Sequence, residues 1–264
     1  MKFALVFVLC SWSALAGALP GQVPPPCRAI YTAVVFDGAV DYEKLAAHPR
    51  KADCAKALAD ARPEEHGAAA LAFWVDAYNL LSLLALADEP ERWSVLQDGA
   101  ALFRTRTFAI AGRQLTLDQI EKDQIGRLTH DPRVEFLLSC GSRSCGLLPP
   151  DVMAQVVGSP EADPDVQRSL DAGMVDGMRR WFARADNLRV RRDTGVVEVG
   201  QLLQLDWHGN DFERAGIALV KLVAEALDAK DPVAARDLRA GTLRLAIRPY
   251  DWRTNRIRRT YVLP

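Results

Sequence analysis

EEHGAAALAFWVDAYNLLSLLAL, residues 64–86, is apolar almost all the way round a helical projection. A helix with one apolar stripe lies on a surface, whereas one that is apolar on every side must be enclosed. The run opens with acidic residues behind Pro63 and stops before Asp88-Glu89-Pro90, the start and stop signals of a helix within a folded domain. It reads as a buried central helix. Asp76 and Asn79 stand three residues apart on one face of it. A buried polar side chain without a partner costs about 1–3 kcal/mol, so both need one. They either tie the helix to a loop backbone or orient a group of a functional site.

Outward from this helix the pattern alternates short strands with longer helices. Residues 37–62 are amphipathic and helical with a break at Pro49, and GQVPPP (21–26) reads as an extended proline-rich lead-in. Arg106–Ile110 and Arg113–Leu115 form a hairpin about Ala111-Gly112. Thr116 then caps a helix, with Gln119 completing a capping box, and that helix runs through Ile120, Ile125 and Leu128. Val134 to Ser139 reads as a short apolar strand that empties into the loop Cys140-Gly-Ser-Arg-Ser-Cys145-Gly. A helix carrying Met174, Met178 and Trp181 follows, then a hairpin of 188–190 with 196–199, a helix over 217–227, and a strand through Leu243, Leu245 and Ile247. The expected fold is α+β, a mainly helical single domain around a small, mostly antiparallel sheet.

Met1-Lys2, the apolar run from Phe3 to about Ala14, and the small residues Ala14 to Ala18 have the form of a signal peptide. Cleavage sites of the A-x-A kind lie after Ala16 and after Ala18. The expected organisation is therefore a signal peptide over 1–18, the lead-in over 19–36 and the α+β domain over 37–264. An exported protein, periplasmic or extracellular, follows, with no stable membrane span after cleavage. Hydrophobic residues make up 49% and charged residues 25%, which excludes a disordered chain. The formal net charge of −1 gives no electrostatic case for binding nucleic acid or anionic lipid.

Cys10 leaves with the signal, so Cys27, Cys54, Cys140 and Cys145 remain. Four cysteines in an exported chain allow three pairings, of which Cys27–Cys54 with Cys140–Cys145 is the most economical. The chain-entropy model gives roughly 3.5 kcal/mol for the first bridge and about 2 kcal/mol for the second. The loop LSCGSRSCG has a competing reading. A thiol in a turn rich in Gly and Ser lies beside backbone N–H groups that can bind an anion or an oxyanion, and Arg143 would favour the thiolate. Gly141, Ser142, Arg143 and Ser144 are thus candidate binding residues. Glu121, mid-helix, and His130, just before the segment that delivers Cys140, are candidate acid–base groups. His48, His66, His130 and His208 show no metal-ligand spacing, and no cofactor is expected.

Five blocks, AFWVDAYNLLSLLAL (72–86), LTLDQIE (115–121), DPRVEFLLSCGSRSC (131–145), WHGNDF (207–212) and PYDWRTN (249–255), occur in this order. Together they resemble the uncharacterised family catalogued as domain of unknown function 547, over about residues 65–255. Trp74, Tyr78 and Asn79 match its helix block, with Asp76 in place of an Asn. Ile120 and Glu121 match its I-E block, and Ser139, Cys140, Gly141 and Ser142 match its S-C-G-S block. Cys145 agrees with the bacterial form of the family, although Gly146 stands where that form has Pro. Lys122 and Glu135 occupy places where many bacterial members carry His. The resemblance favours Cys140 over Cys145 as the residue that matters and implies a fold more than an activity.

Three functions fit these observations. One is a thiol-dependent hydrolase or acyltransferase on amide or peptide-like substrates. In it Cys140 is the nucleophile, Glu121 or His130 the base or orienter, Asn79 a support, and the Gly141–Ser144 amides an oxyanion site. Another is a non-catalytic module that binds a peptide or envelope component, its loop stapled by a disulfide. The third is thiol–disulfide exchange between Cys140 and Cys145.

Overall fold

In the computed structural model, which describes residues 23–152, 163–204, 212 and 217–257, the central run folds as helix α4 (Gly67–Ala87). Every residue from Ala70 to Ala87 is buried. Its length and composition would also suit a membrane crossing, yet here protein covers it. The helix starts at Gly67 rather than Glu64. His66 is extended and Gly67 takes a positive φ of 82°, so the two acidic residues stay outside the helix.

Upstream, the proline-rich lead-in is helical from Pro25 rather than extended. Helix α1 (Pro25–Val34) begins with proline in its first turn, where the missing N–H would have had no partner and the fixed φ already suits a helix. Its apolar residues Cys27, Ile30, Tyr31 and Val34 are buried, and Val23 before it is buried too. A short hairpin, β1 (Val35–Phe36) with β2 (Ala39–Val40), leads to α2 (Tyr42–Ala46) and α3 (Lys51–Ala59), with the expected break at Pro49 between them. A disulfide joins Cys27 of α1 to Cys54 of α3, the first of the two expected pairings.

Downstream of α4, the turn α5 (Ala101–Arg104) precedes the expected hairpin of β3 (Thr107–Ile110) and β4 (Arg113–Thr116). Helix α6 (Leu117–Gln119) carries the complete capping box: the Gln119 N–H donates to Thr116 Oγ1 at 3.1 Å and the Thr116 N–H to Gln119 Oε1 at 2.9 Å. The helix then widens to a π turn over Ile120–Ile125 before closing as α7 (Gly126–Leu128). Val134–Ser139 is not a strand. Pro132–Phe136 is a 3-10 turn, started by Pro132 and by the Asp131 carboxylate, which accepts from the Arg133 N–H at 2.9 Å. A continuous apolar run does not distinguish strand from turn by its period.

The rest of the chain forms a second cluster. Helix α8 (Asp163–Ala183) places Trp181 and Phe182 against Phe136, and the sheet of β5 (Leu188–Arg191), β6 (Val196–Gly200) and β7 (Arg244–Arg248) packs beside them. The β5–β6 pair is antiparallel and β6–β7 parallel, with α9 (Leu219–Asp228) and α10 (Pro232–Arg239) as the intervening crossover. The architecture is α+β. The two clusters meet along residues 136–148: Leu137, Leu138, Cys140 and Cys145 belong to the core around α4, whereas Phe136 and Leu147 belong to the core around Trp181. The signal-peptide reading and His208 fall outside the described residues, as does most of the WHGNDF block.

Replacing Cys27 and Cys54 by Ala should lower the unfolding free energy by about 2–4 kcal/mol, read by denaturant titration. If Cys27–Cys54 is the stabilising bridge, reductant will lower the stability of the native chain and leave that of the double variant unchanged.

Candidate functional site

Cys140 reaches its place through two anchors. The first is Asn79 of α4, whose Nδ2 donates to the Leu137 carbonyl at 2.8 Å while its Oδ1 accepts from the Ser139 N–H at 2.7 Å. Of the two roles open to Asn79, the tie to a loop backbone is the one observed, and that loop delivers the thiol. The second anchor is the C-terminal segment 249–257. The Asn255 N–H donates to the Gly141 carbonyl at 2.8 Å, the Arg143 N–H to the Arg253 carbonyl at 2.9 Å, and the Asp251 N–H to Ser144 Oγ at 2.8 Å. Asn255 also accepts from Tyr42 at 2.7 Å and donates to the Gly38 carbonyl at 3.1 Å, so the segment is itself fixed from the N-terminal side.

Gly141 is required at its position. Its φ is +82°, and an added Cβ would come 2.1 Å from Leu86 Cδ1. Gly146, the departure from the family's Pro, is packed as closely: a Cβ there would meet the Glu135 carbonyl oxygen at 2.4 Å and that of Leu138 at 2.6 Å.

Cys140 and Cys145 are both buried and both free, so the second expected disulfide is not formed. Their sulfurs lie 2.7 Å apart, the Cys145 thiol donating to Cys140, and the Cys140 N–H donates to Cys145 Sγ at 2.9 Å. Ser142 Oγ lies 3.2 Å from the Cys140 sulfur, and Tyr250, whose hydroxyl contacts Ser142 Oγ at 3.0 Å, lies 3.7 Å from that sulfur. Burial raises the cost of a thiolate at Cys140. Hydrogen bonds from Cys145, the Ser142 hydroxyl, the Ser142 amide and Tyr250 outweigh that cost and bring the thiol down to about 7. Burial and the bond to Cys140 push Cys145 well up, so it stays a protonated donor. Burial and the two sulfurs likewise hold the Tyr250 phenol well above its usual value.

Both sulfurs face a cavity of about 20 Å³ that Tyr78, Phe103, Glu121, Glu135 and Tyr250 help to line. That is room for one water-sized molecule. The π turn accounts for Glu121: Ile120, Glu121, Gln124 and Ile125 are all buried along it, and π turns recur at functional sites. Burial first, then the Glu135 carboxylate, hold Glu121 well above the usual carboxylate range, against the hydrogen bond it shares with Tyr78. Burial thus moves the Glu121 carboxyl up while donors bring the neighbouring Cys140 thiol down.

The structure therefore gathers Cys140, Glu121, Ser142 and, through the backbone, Asn79. His130 is an exposed loop residue and does not line the cavity; among the described residues no histidine does. The expected oxyanion site in the Gly141–Ser144 amides is altered too. The Arg143 N–H is taken by Arg253 and the Ser142 N–H by the Cys140 sulfur, because the turn curls around its own thiol. Sequence reasoning passed over Tyr250 and Tyr78 as site residues, although both lie inside quoted blocks.

Residues 65–154 match the family described as Protein of unknown function, DUF547. The chain resembles that family across α4, the π turn and the cysteine loop, while Tyr250 and the C-terminal segment lie beyond the match. No curated protein and no solved structure matches the chain.

Asn79→Ala strips partners from two buried backbone groups, each worth about 1–3 kcal/mol, and should appear as a matching loss in denaturant unfolding. Glu121→Gln tests the raised carboxyl. A folded pKa raised above the unfolded value of about 4.3 means that the native state holds the extra proton as pH rises, so this group's stability contribution is full below that value and is lost above it. The melting temperature of Glu121→Gln relative to the native chain should therefore climb as pH rises from 4 towards neutral; a constant difference would sink the assignment.

Proposed function

We propose that the protein is an exported thiol enzyme, periplasmic or extracellular, whose Cys140 attacks the carbonyl carbon of an amide or peptide-like substrate once the buried cavity, sized here for a single water, opens to admit it. One observation carries this reading: an unbridged thiol lowered to about 7 shares a cavity with a carboxyl group that burial pushes well above its usual range. Two groups whose environments shift their titrations in opposite directions are the usual signature of a divided acid–base task.

The chemistry balances with these groups alone. The Cys140 thiolate adds to the carbonyl, and the Tyr250 phenol is the nearby donor for the oxyanion. As the intermediate collapses, the C–N bond breaks and Glu121 gives its proton to the leaving amine, which leaves a thioester on Cys140. Glu121, now a carboxylate, takes a proton from water as the water attacks the thioester. The acid departs, and the Cys140 thiolate and the protonated Glu121 are restored. Two features support export: the signal-like residues 1–18, and the Cys27–Cys54 bridge, a bond typical of oxidising compartments.

The stapled binding module is less well supported, since the loop is held by the C-terminal segment and needs no disulfide for its shape. Thiol–disulfide exchange is favoured by a separate observation, the 2.7 Å between the sulfurs. In that reaction both thiols are oxidised to a disulfide while an acceptor disulfide takes up two electrons and two protons and leaves as two thiols.

Iodoacetamide labelling of the full chain, followed by peptide mapping across pH 5–9, should modify Cys140 first with a midpoint near 7. With p-nitrophenyl acetate an acetyl adduct should collect on Cys140, be absent in Cys140→Ser, and hydrolyse about 10²–10⁴ times more slowly in Glu121→Gln. A midpoint at the ordinary thiol value of about 8.5, or no adduct, overturns the acyl-transfer reading. A pair that glutathione reduces and reoxidises, without any adduct, selects disulfide exchange.

A further inference from the structure

On the far side of the cysteine loop lies an open groove of about 470 Å³, within the size range of small-molecule sites. Five arginines line it: Arg143 from the loop, Arg184 after α8, Arg248 at the end of β7, and Arg253 and Arg256 from the C-terminal segment. The carboxylates lining it are those of Asp186 and Asp251. The chain as a whole is nearly balanced, with Lys+Arg 33 against Asp+Glu 34, so this excess of positive charge is local.

The two acids offset only part of it, since five arginines face two carboxylates. Asp251 is engaged by Arg253 through both carboxylate oxygens, at 2.8 and 2.5 Å. Asp186 meets Arg248 through its backbone carbonyl, at 2.8 Å, and Arg248 makes no ion pair among the described residues. Arg184 donates to the Asp37 carbonyl at 3.0 Å, with the exposed Asp37 carboxylate 3.9 Å away. Arg256 is held by the Pro90 carbonyl, with Glu91 at 3.8 Å. Carbonyl oxygens thus position Arg184, Arg248 and Arg256; Arg184 and Arg256 each also have one carboxylate just inside 4 Å, and Arg248 has none among the described residues. Pre-positioned planar forks match oxyanions, which they bind through paired hydrogen bonds.

We infer that this groove is a binding site for a small polyvalent oxyanion, either a phosphate ester or a polycarboxylate. The groove shares no lining residue with the thiol cavity, and the link between the two is Ser142, which lines the groove and lies 3.2 Å from the Cys140 sulfur. Its arginines come from distant parts of the chain, and only the fold brings them together.

Isothermal titration of the full chain with inorganic pyrophosphate and, separately, with citrate tests the site at about 0.15 M salt. Saturable one-to-one binding of at least one anion is expected, weakened about tenfold or more by Arg184→Gln with Arg248→Gln, and weakened again by added salt. Arg248→Gln alone breaks no ion pair among the described residues. It serves as the second variant if the double one fails to keep the native circular dichroism and melting temperature, and it should weaken binding severalfold. Preference for pyrophosphate points to a phosphate ester and preference for citrate to a polycarboxylate; either supports the site. Failure of both anions to saturate, or equal binding by folded variants, overturns it.

Discussion

The two hydrogen bonds between the Asn79 amide and the backbone of Leu137 and Ser139 join the enclosed central helix to the segment that carries Cys140. Helix α4 is apolar on every face and enclosed along nearly its whole length, so Asn79 has no water to turn to and its amide must find both a donor and an acceptor in protein. A backbone with a free carbonyl and a free N–H two residues apart satisfies that need, which sets the register of residues 137–139 against the helix. Cys140 follows immediately. The burial that stabilises the core and the positioning of the thiol therefore have one cause.

The cavity beside that thiol collects four acidic groups, Glu121, Glu135, Cys140 and Cys145, in a space for one small molecule. Glu121, Cys140 and Cys145 cannot all ionise at close range in a poorly solvated site, so their titrations belong to the three together. What decides where the charge rests is the distribution of donors. Cys140 has the Cys145 thiol, the Ser142 hydroxyl and amide, and Tyr250 turned towards it, while Glu121 has Tyr78 and faces another carboxylate. The donors lower the Cys140 thiol while burial and the facing carboxylate raise Glu121, so the two titrations draw together from the roughly four pH units that separate them in water.

How much of this was legible in the sequence depends on the range of the interaction. Helix α4, the hairpin over 107–116, the hairpin over 188–200 and the Thr116–Gln119 capping box rest on local periodicity and capping, and the sequence carries them plainly. Helix α1 was hidden because prolines that discourage a helix interior are welcome in its first turn. The 3-10 turn over 132–136 was hidden because a fully buried run has no alternation to read. The π turn gives no periodic signal of its own, so the sequence offers Glu121 as a candidate acid–base group without showing that its side chain turns inward. Tyr250 and the arginine groove depend on the C-terminal segment crossing the cysteine loop more than 100 residues from it, a contact that no local pattern encodes.

That crossing also bears on why two cysteines so close in sequence stay unbridged. A disulfide between residues five apart is usually the cheapest way to hold a short loop, and here the work is done by other bonds: Asn255 to Gly141, Arg143 to Arg253, Asp251 to Ser144, and the Asn79 anchor behind them. With its shape fixed from outside, the loop holds the sulfurs in contact without a covalent link. Cys145 is then free to act as a hydrogen-bond donor, and its proton is among the groups that make Cys140 a thiolate. Oxidation would remove that donor and that thiolate in one step. A loop braced in this way can therefore pass between bridged and unbridged cysteines while the bonds that hold its shape remain.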